Sequence, residues 1–116
     1  MLAPAPGRIY LAKGATDLRK SINTLAALVQ ASFEMDPYDK NMYVFCNRSR
    51  NRLKILQYDK NGFWLYYKAL DTGKFAWAKE TDGLMELTDD ELDWLVHGLS
   101  LMDKQSIVSS QTKFYY

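Results

Sequence analysis

The stretch Arg52-Leu53-Lys54-Ile55-Leu56-Gln57-Tyr58-Asp59-Lys60-Asn61-Gly62-Phe63-Trp64-Leu65-Tyr66-Tyr67-Lys68-Ala69 decides the fold. Two runs of apolar and aromatic residues flank Asp59-Lys60-Asn61-Gly62, where Asn-Gly readily supplies the positive φ of a tight hairpin. A type I turn closed by a Gly62 bulge leaves Lys60-Asn61-Gly62 as the loop. Asp59 then faces Phe63, Tyr58 faces Trp64, Leu56 faces Tyr66 and Lys54 faces Lys68. Side chains alternate along a strand, so Arg52, Lys54, Leu56, Tyr58, Trp64, Tyr66 and Lys68 share one side. Leu53, Ile55, Gln57, Phe63, Leu65, Tyr67 and Ala69 share the other, which is expected to pack on helices. The first set interleaves cations with rings, the composition that suits phosphates and stacked bases. It also suits an ordinary solvated face or a protein partner. A two-residue loop would slip the register and mix the two sets, and the facing Lys54 and Lys68 count against the three-residue loop unless an anion bridges them.

Working outward, Met42–Cys46 reads as a strand before this hairpin and Phe75–Ala78 as one after it, each reached through a short turn. Such connections imply an antiparallel meander. Arg48, Arg50 and Arg52, spaced by two, can present guanidinium groups to a phosphate backbone. Arg8–Ala12 reads as a first strand. Thr16 and Asp17 suit the start of a helix whose apolar face is Leu18, Ile22, Leu25, Val29 and Phe33, with Asp36-Pro37 as its stop. Arg19 and Lys20 fall on its exposed side and are weaker candidates for DNA contact. Thr88-Asp89-Asp90-Glu91 matches a capping box, with Leu87 and Leu92 placed as a hydrophobic staple. The helix it opens runs over Asp89–His97, with Gly98 as a plausible stop.

The 116 residues suit one domain, and a 47% hydrophobic, 25% charged composition is that of a globular protein. No apolar run approaches the ~18 residues of a membrane span, and the start lacks a signal peptide's pattern, so a soluble cytoplasmic protein is expected. Net charge is +1, but residues 1–79 hold 13 bases and 6 acids, a net +7, while residues 80–116 hold 2 and 8, a net −6. This asymmetry fits a polyanion-binding body with an acidic pole, or two regions that neutralise each other.

Catalysis finds little to work with. One Cys and one His cannot complete a four-ligand zinc site, and no cofactor is implied. The acidic run at 89–93 is explained by capping and the helix dipole, and most acids of the basic body by caps and turns. Cys46 reads as a core residue inside an apolar strand, and His97 as a favourable charge near a helix C-terminus. No phosphate-binding glycine loop is present. No catalytic or metal-ligating residue is assigned.

Several segments resemble the small accessory protein of insertion sequence 66 elements, the family called TnpB. They are Tyr10-Leu11-Ala12-Lys13-Gly14-Ala15-Thr16-Asp17-Leu18-Arg19-Lys20-Ser21-Ile22, then Tyr43-Val44-Phe45-Cys46-Asn47-Arg48, then Arg52–Leu56, then Gly62-Phe63-Trp64-Leu65-Tyr66-Tyr67-Lys68. Gly73–Trp77 and Glu91–Leu99 match in type and order, so the resemblance covers Arg8 to Leu101. It implies a bacterial element whose separate, larger transposase carries the catalytic acids, with the small protein assisting. It supplies no catalytic residues to carry over. RNA-guided nucleases that share the TnpB name are unrelated and far longer.

The expectation is a single α+β domain over residues 1–103: an antiparallel sheet of four to five strands packed by one long N-terminal helix, with a shorter C-terminal helix. Residues 104–116 read as an irregular tail. The expected function is a non-catalytic accessory role in transposition, with DNA met by Arg48, Arg50, Arg52, Lys54 and Lys68 at phosphates and by Tyr58, Trp64 and Tyr66 at bases or sugars. The alternative is an adaptor that binds the cognate transposase without touching DNA. Neither a membrane nor a small-molecule substrate is expected as a partner.

Overall fold

The computed structural model describes residues 7–78 and 83–97. The elements run β1 (Ile9–Ala12), α1 (Ile22–Phe33), β2 (Met42–Cys46), β3 (Arg52–Asp59), β4 (Gly62–Ala69), β5 (Leu84–Leu87) and α2 (Asp89–Val96). They form an α+β domain around one five-stranded sheet of order β4-β3-β2-β1-β5. The meander β2-β3-β4 is antiparallel as expected, and β5 runs antiparallel to β1. The sheet is nevertheless mixed, because β1 pairs with β2 in parallel and α1 lies in the connection between them. A parallel pair needs a crossover of this kind, which the meander pattern alone does not reveal.

Both faces of the sheet are covered. On one, Leu25, Ala26 and Val29 of α1 pack on Ala12, Tyr43, Phe45 and Leu56, with Phe63 and Leu65 partly buried beside them. On the other, Leu92 and Leu95 of α2 pack with Phe75 on Ile9, Leu11, Met42, Val44, Leu53 and Ile55. β2 lies at the centre, and all five of its residues are buried. Each fully buried Leu or Val contributes about 1.5–3 kcal/mol through lost apolar exposure. Cys46 is a wholly buried core residue, as expected.

Helix α1 presents the expected apolar face but starts five residues later than expected. Thr16 is tied to the sheet instead, its backbone N–H donating to the Cys46 carbonyl at 2.8 Å. Asp17 turns its carboxylate to the Arg19 backbone N–H at 3.0 Å, a local turn that competes with helix. Ser21 is the true cap, its hydroxyl accepting from the Thr24 N–H. The helix also ends before Asp36-Pro37, because Glu34 takes a left-handed conformation at φ 54°. Asp36 closes a separate turn through the Tyr38 N–H at 2.9 Å.

Helix α2 forms as expected, with the reciprocal capping box of Thr88 and Glu91 and with Leu87 and Leu92 both buried. Phe75–Ala78 is not a strand. Phe75 is buried in the core, and Trp77 Nε1 donates to the Ala12 carbonyl at 3.0 Å. The fifth strand is Leu84–Leu87, a segment of modest β-propensity made extended by pairing with β1.

The β3–β4 hairpin pairs the expected segments with a loop of two residues, Lys60-Asn61, in place of three. Lys60 supplies the positive φ, at 55°, and Gly62 is a strand residue facing Asp59. Tyr58 therefore faces Phe63, Gln57 faces Trp64, Ile55 faces Tyr66 and Lys54 faces Tyr67. The three-residue register assumed one solvated face, whereas helices cover both. The observed register sends Phe63 and Leu65 to the α1 core and Tyr66 to the α2 core, and it separates Lys54 from Lys68. The expected tail at 104–116 and the Gly98 stop lie outside the described residues. Among the described residues, no helix is long and apolar enough to cross a membrane.

Candidate nucleic-acid interface

The loop between β2 and β3 is organised by one side chain. Asn47 Oδ1 accepts from the backbone N–H groups of Asn51 and Arg52, each at 3.0 Å, and Asn47 Nδ2 donates to Asn51 Oδ1 at 2.8 Å. Arg50 sits within this loop at φ 59°, and its carbonyl accepts from the Phe75 N–H. The loop thus holds Arg48 outward and starts β3 with Arg52 on the α1 side of the sheet.

Opposite it, the Ala15–Arg19 turn forms the second wall of an open groove of about 850 Å³. Arg19, Arg48, Arg52 and Lys54 line the groove together with Leu65 and Tyr67. Four cations meet one carboxylate, Asp17, whose charge is already engaged. Arg19 donates to Asp17 from Nε at 3.0 Å and from a terminal nitrogen at 2.8 Å. Those hydrogen bonds hold the Asp17 carboxyl well below the usual carboxylate range. Among the described residues, no carboxylate lies within 4.0 Å of the charged nitrogens of Arg48, Arg52 or Lys54. Lys54 Nζ donates to the Leu18 carbonyl at 2.6 Å and stands 5.6 Å from the Tyr67 ring centroid.

The register divides the other candidate residues. Tyr58 shares the α1 side with Arg52 and Lys54 but lies at the far end of β3, in a ring cluster with Tyr38 and Phe63. Arg50 lines a smaller adjoining hollow of about 230 Å³ with Trp77, and Arg48 borders both this hollow and the groove. Trp64, Tyr66 and Lys68 stand on the α2 side. There Trp64 and Tyr66 stack at 6.2 Å and 17°, and Lys68 Nζ donates to the Val96 carbonyl at 2.6 Å, at the end of α2. The structure therefore brings together Arg48, Arg52 and Lys54, adds Arg19, and sets the remaining candidates apart.

Tyr67 is the member that sequence reasoning placed on the core side. It is 58% exposed. The Tyr66-Tyr67-Lys68 run could have pointed to it only with the loop length known, since a one-residue slip exchanges the faces of neighbouring tyrosines. His97 caps α2, its Nδ1 2.7 Å from the Asp93 carbonyl. Among the described residues, no group of three or more His, Cys, Asp or Glu could hold a metal ion.

An exposed ring flanked by unneutralised cations in a concave site has the chemistry to hold phosphates and the sugars or bases attached to them. The profile of the IS66 Orf2 like protein family matches residues 7–106 of the chain. Two proteins of Sinorhizobium fredii are similar to it. The protein y4hO is 35% identical over 92 residues, 79% of this chain and 80% of the relative. The protein y4jC is 35% identical over 100 residues, 85% of this chain and 86% of the relative. No solved structure matches the chain.

Proposed function

The chain belongs to the IS66 Orf2-like family, with the transposition-related accessory role that this implies, and from that premise we propose that it assists without catalysis, by engaging DNA through the Arg48–Arg52–Lys54 groove. The observation that carries the reading is the gathering of Arg48, Arg52 and Lys54, none with an ion-pair partner among the described residues, in one concavity beside the Arg19–Asp17 pair. Unpaired cations held close together repel one another, and an anion that enters the groove removes that cost.

The test is a salt titration of affinity for DNA from the element's ends. Each phosphate neutralised contributes a slope of about −0.9 on duplex or −0.7 on single strands, so three contacts give about −2 to −3. Arg52→Gln combined with Lys54→Gln is expected to weaken binding and to flatten that slope by roughly two contacts' worth. Absence of binding to any DNA at low salt removes the proposal.

A second reading, binding to the cognate transposase, is favoured by a different observation. Strand β4 is at the sheet edge and displays the stacked Trp64 and Tyr66, with Trp64 54% exposed. Aromatic residues on an open edge are suited to a protein partner. A pull-down with the transposase in nuclease-treated extract, repeated with Trp64→Ala, distinguishes this reading, because the substitution leaves the groove untouched.

A further inference from the structure

Taking as its basis the reading that this groove meets DNA, we propose that its ligand is an unpaired strand, with the Tyr67 ring serving as the platform for an exposed base. The groove has two chemistries. Arg48 and Arg52 supply charge from the loop and the start of β3, while Leu65 and Tyr67 of β4 supply apolar surface beside them. A duplex presents phosphates on its outside and hides the faces of its bases within the stack. A ring lining a concavity then has nothing to lie against. An unpaired strand carries a phosphate and a free base face on every nucleotide, so both parts of the groove are used at once.

The placing of Lys54 supports this choice. Its Nζ is held by the Leu18 carbonyl at 2.6 Å while standing 5.6 Å from the Tyr67 centroid. Cation and ring are therefore a pre-set pair: the ammonium stands over one face of the ring, and a base that uses the ring's exposed surface lies beside a fixed positive charge. The wall opposite is neutralised rather than repulsive, because Asp17 is engaged by Arg19 through two side-chain hydrogen bonds. The Trp64–Tyr66 stack is on the opposite face of the sheet and does not extend the platform. The site is thus short, and it reads unpaired character without reading sequence.

Fluorescence anisotropy on the full chain tests this with three probes of equal length at one low salt concentration: a single strand, the same strand annealed to its complement, and an abasic strand. The single strand is expected to bind about tenfold more tightly than the abasic strand, the range of one base–ring stack, and more tightly than the duplex. Tyr67→Ala and Tyr67→Leu are expected to bring the single-strand and abasic affinities to equality while leaving abasic binding intact, which also shows that each variant is folded. Tyr67→Phe is expected to keep the preference. Equal wild-type binding to single and abasic strands, or a preference that survives both ring-removing variants, overturns the platform while the DNA reading stands. No binding to any probe removes both.

Discussion

At the residue scale, Asn47 is the side chain on which the groove depends. Its three hydrogen bonds turn the chain between β2 and β3 and fix where Arg48 and Arg52 emerge. Asn47→Ala is expected to lower stability by about 1–3 kcal/mol, since partly buried groups lose their partners. Urea unfolding should show a lower midpoint with an unchanged slope. The core supplies a second residue-level expectation. Burial pushes the Cys46 thiol from 9.0 up to about 12, and burial likewise pushes the Tyr43 hydroxyl from 10.0 up to about 12. Both groups are neutral when protonated, and the folded state holds those protons where the unfolded state has released them. Their stabilising effect is complete below pH 9 and is lost as pH rises toward 12. Unfolding free energies measured across that range should fall, and Cys46→Ala should remove the part of the fall that starts near pH 9 and keep the part due to Tyr43.

At the element scale, local chemistry and tertiary context divide the fold between them. The capping box of α2 satisfies two backbone donors by itself, so Thr88→Ala is expected to cost about 1 kcal/mol, read as a lower melting temperature. Elements defined by such local signals are legible in the sequence: α2, the core face of α1, and strands β1, β2, β3 and β4. What was not legible depended on distant partners. Leu84–Leu87 is a strand because β1 offers it an edge, and the parallel pairing of β1 with β2 needs a helix in between. Helix α1 starts at Ile22 and not at Asp17 because Thr16 is claimed by Cys46, 30 residues away along the chain. The candidate site was legible in part for the same reason. Arg48, Arg52 and Lys54 belong to one loop and one strand, so their grouping survives any register of the hairpin. The side taken by Trp64, Tyr66, Tyr67 and Lys68 rests on one residue of loop length, and Lys60 takes the positive φ that the Asn-Gly pattern assigns to Gly62.

At the scale of the whole molecule, the sheet separates two poles of charge. The groove lies on the α1 side, whereas Asp89, Asp90, Glu91 and Asp93 belong to α2 on the other side. Among the described residues, Arg8 with Glu86 at 3.6 Å is the one ion pair that joins the basic body to the acidic region. Among the described residues the charges of the two regions thus meet at that one ion pair, and the influence of α2 on the groove acts at a distance. The first turn of α2 follows β5 at one edge of the sheet, whereas the groove is on β3 and β4 toward the other edge and at the opposite strand ends, so with neighbouring strands about 4.8 Å apart the separation is well beyond the ~8 Å Debye length at physiological salt. Asp90→Asn, an exposed change in the first turn of α2, isolates this effect. It is expected to raise DNA affinity by less than about twofold at 10 mM salt and to leave it unchanged at 150 mM, where screening dominates. The groove substitutions at Arg52 and Lys54 should weaken binding at both concentrations. Anisotropy titrations of these variants at the two salts decide the matter: an Asp90→Asn effect that persists undiminished at 150 mM places the acidic pole in contact with the ligand and rejects the division of charge across the sheet.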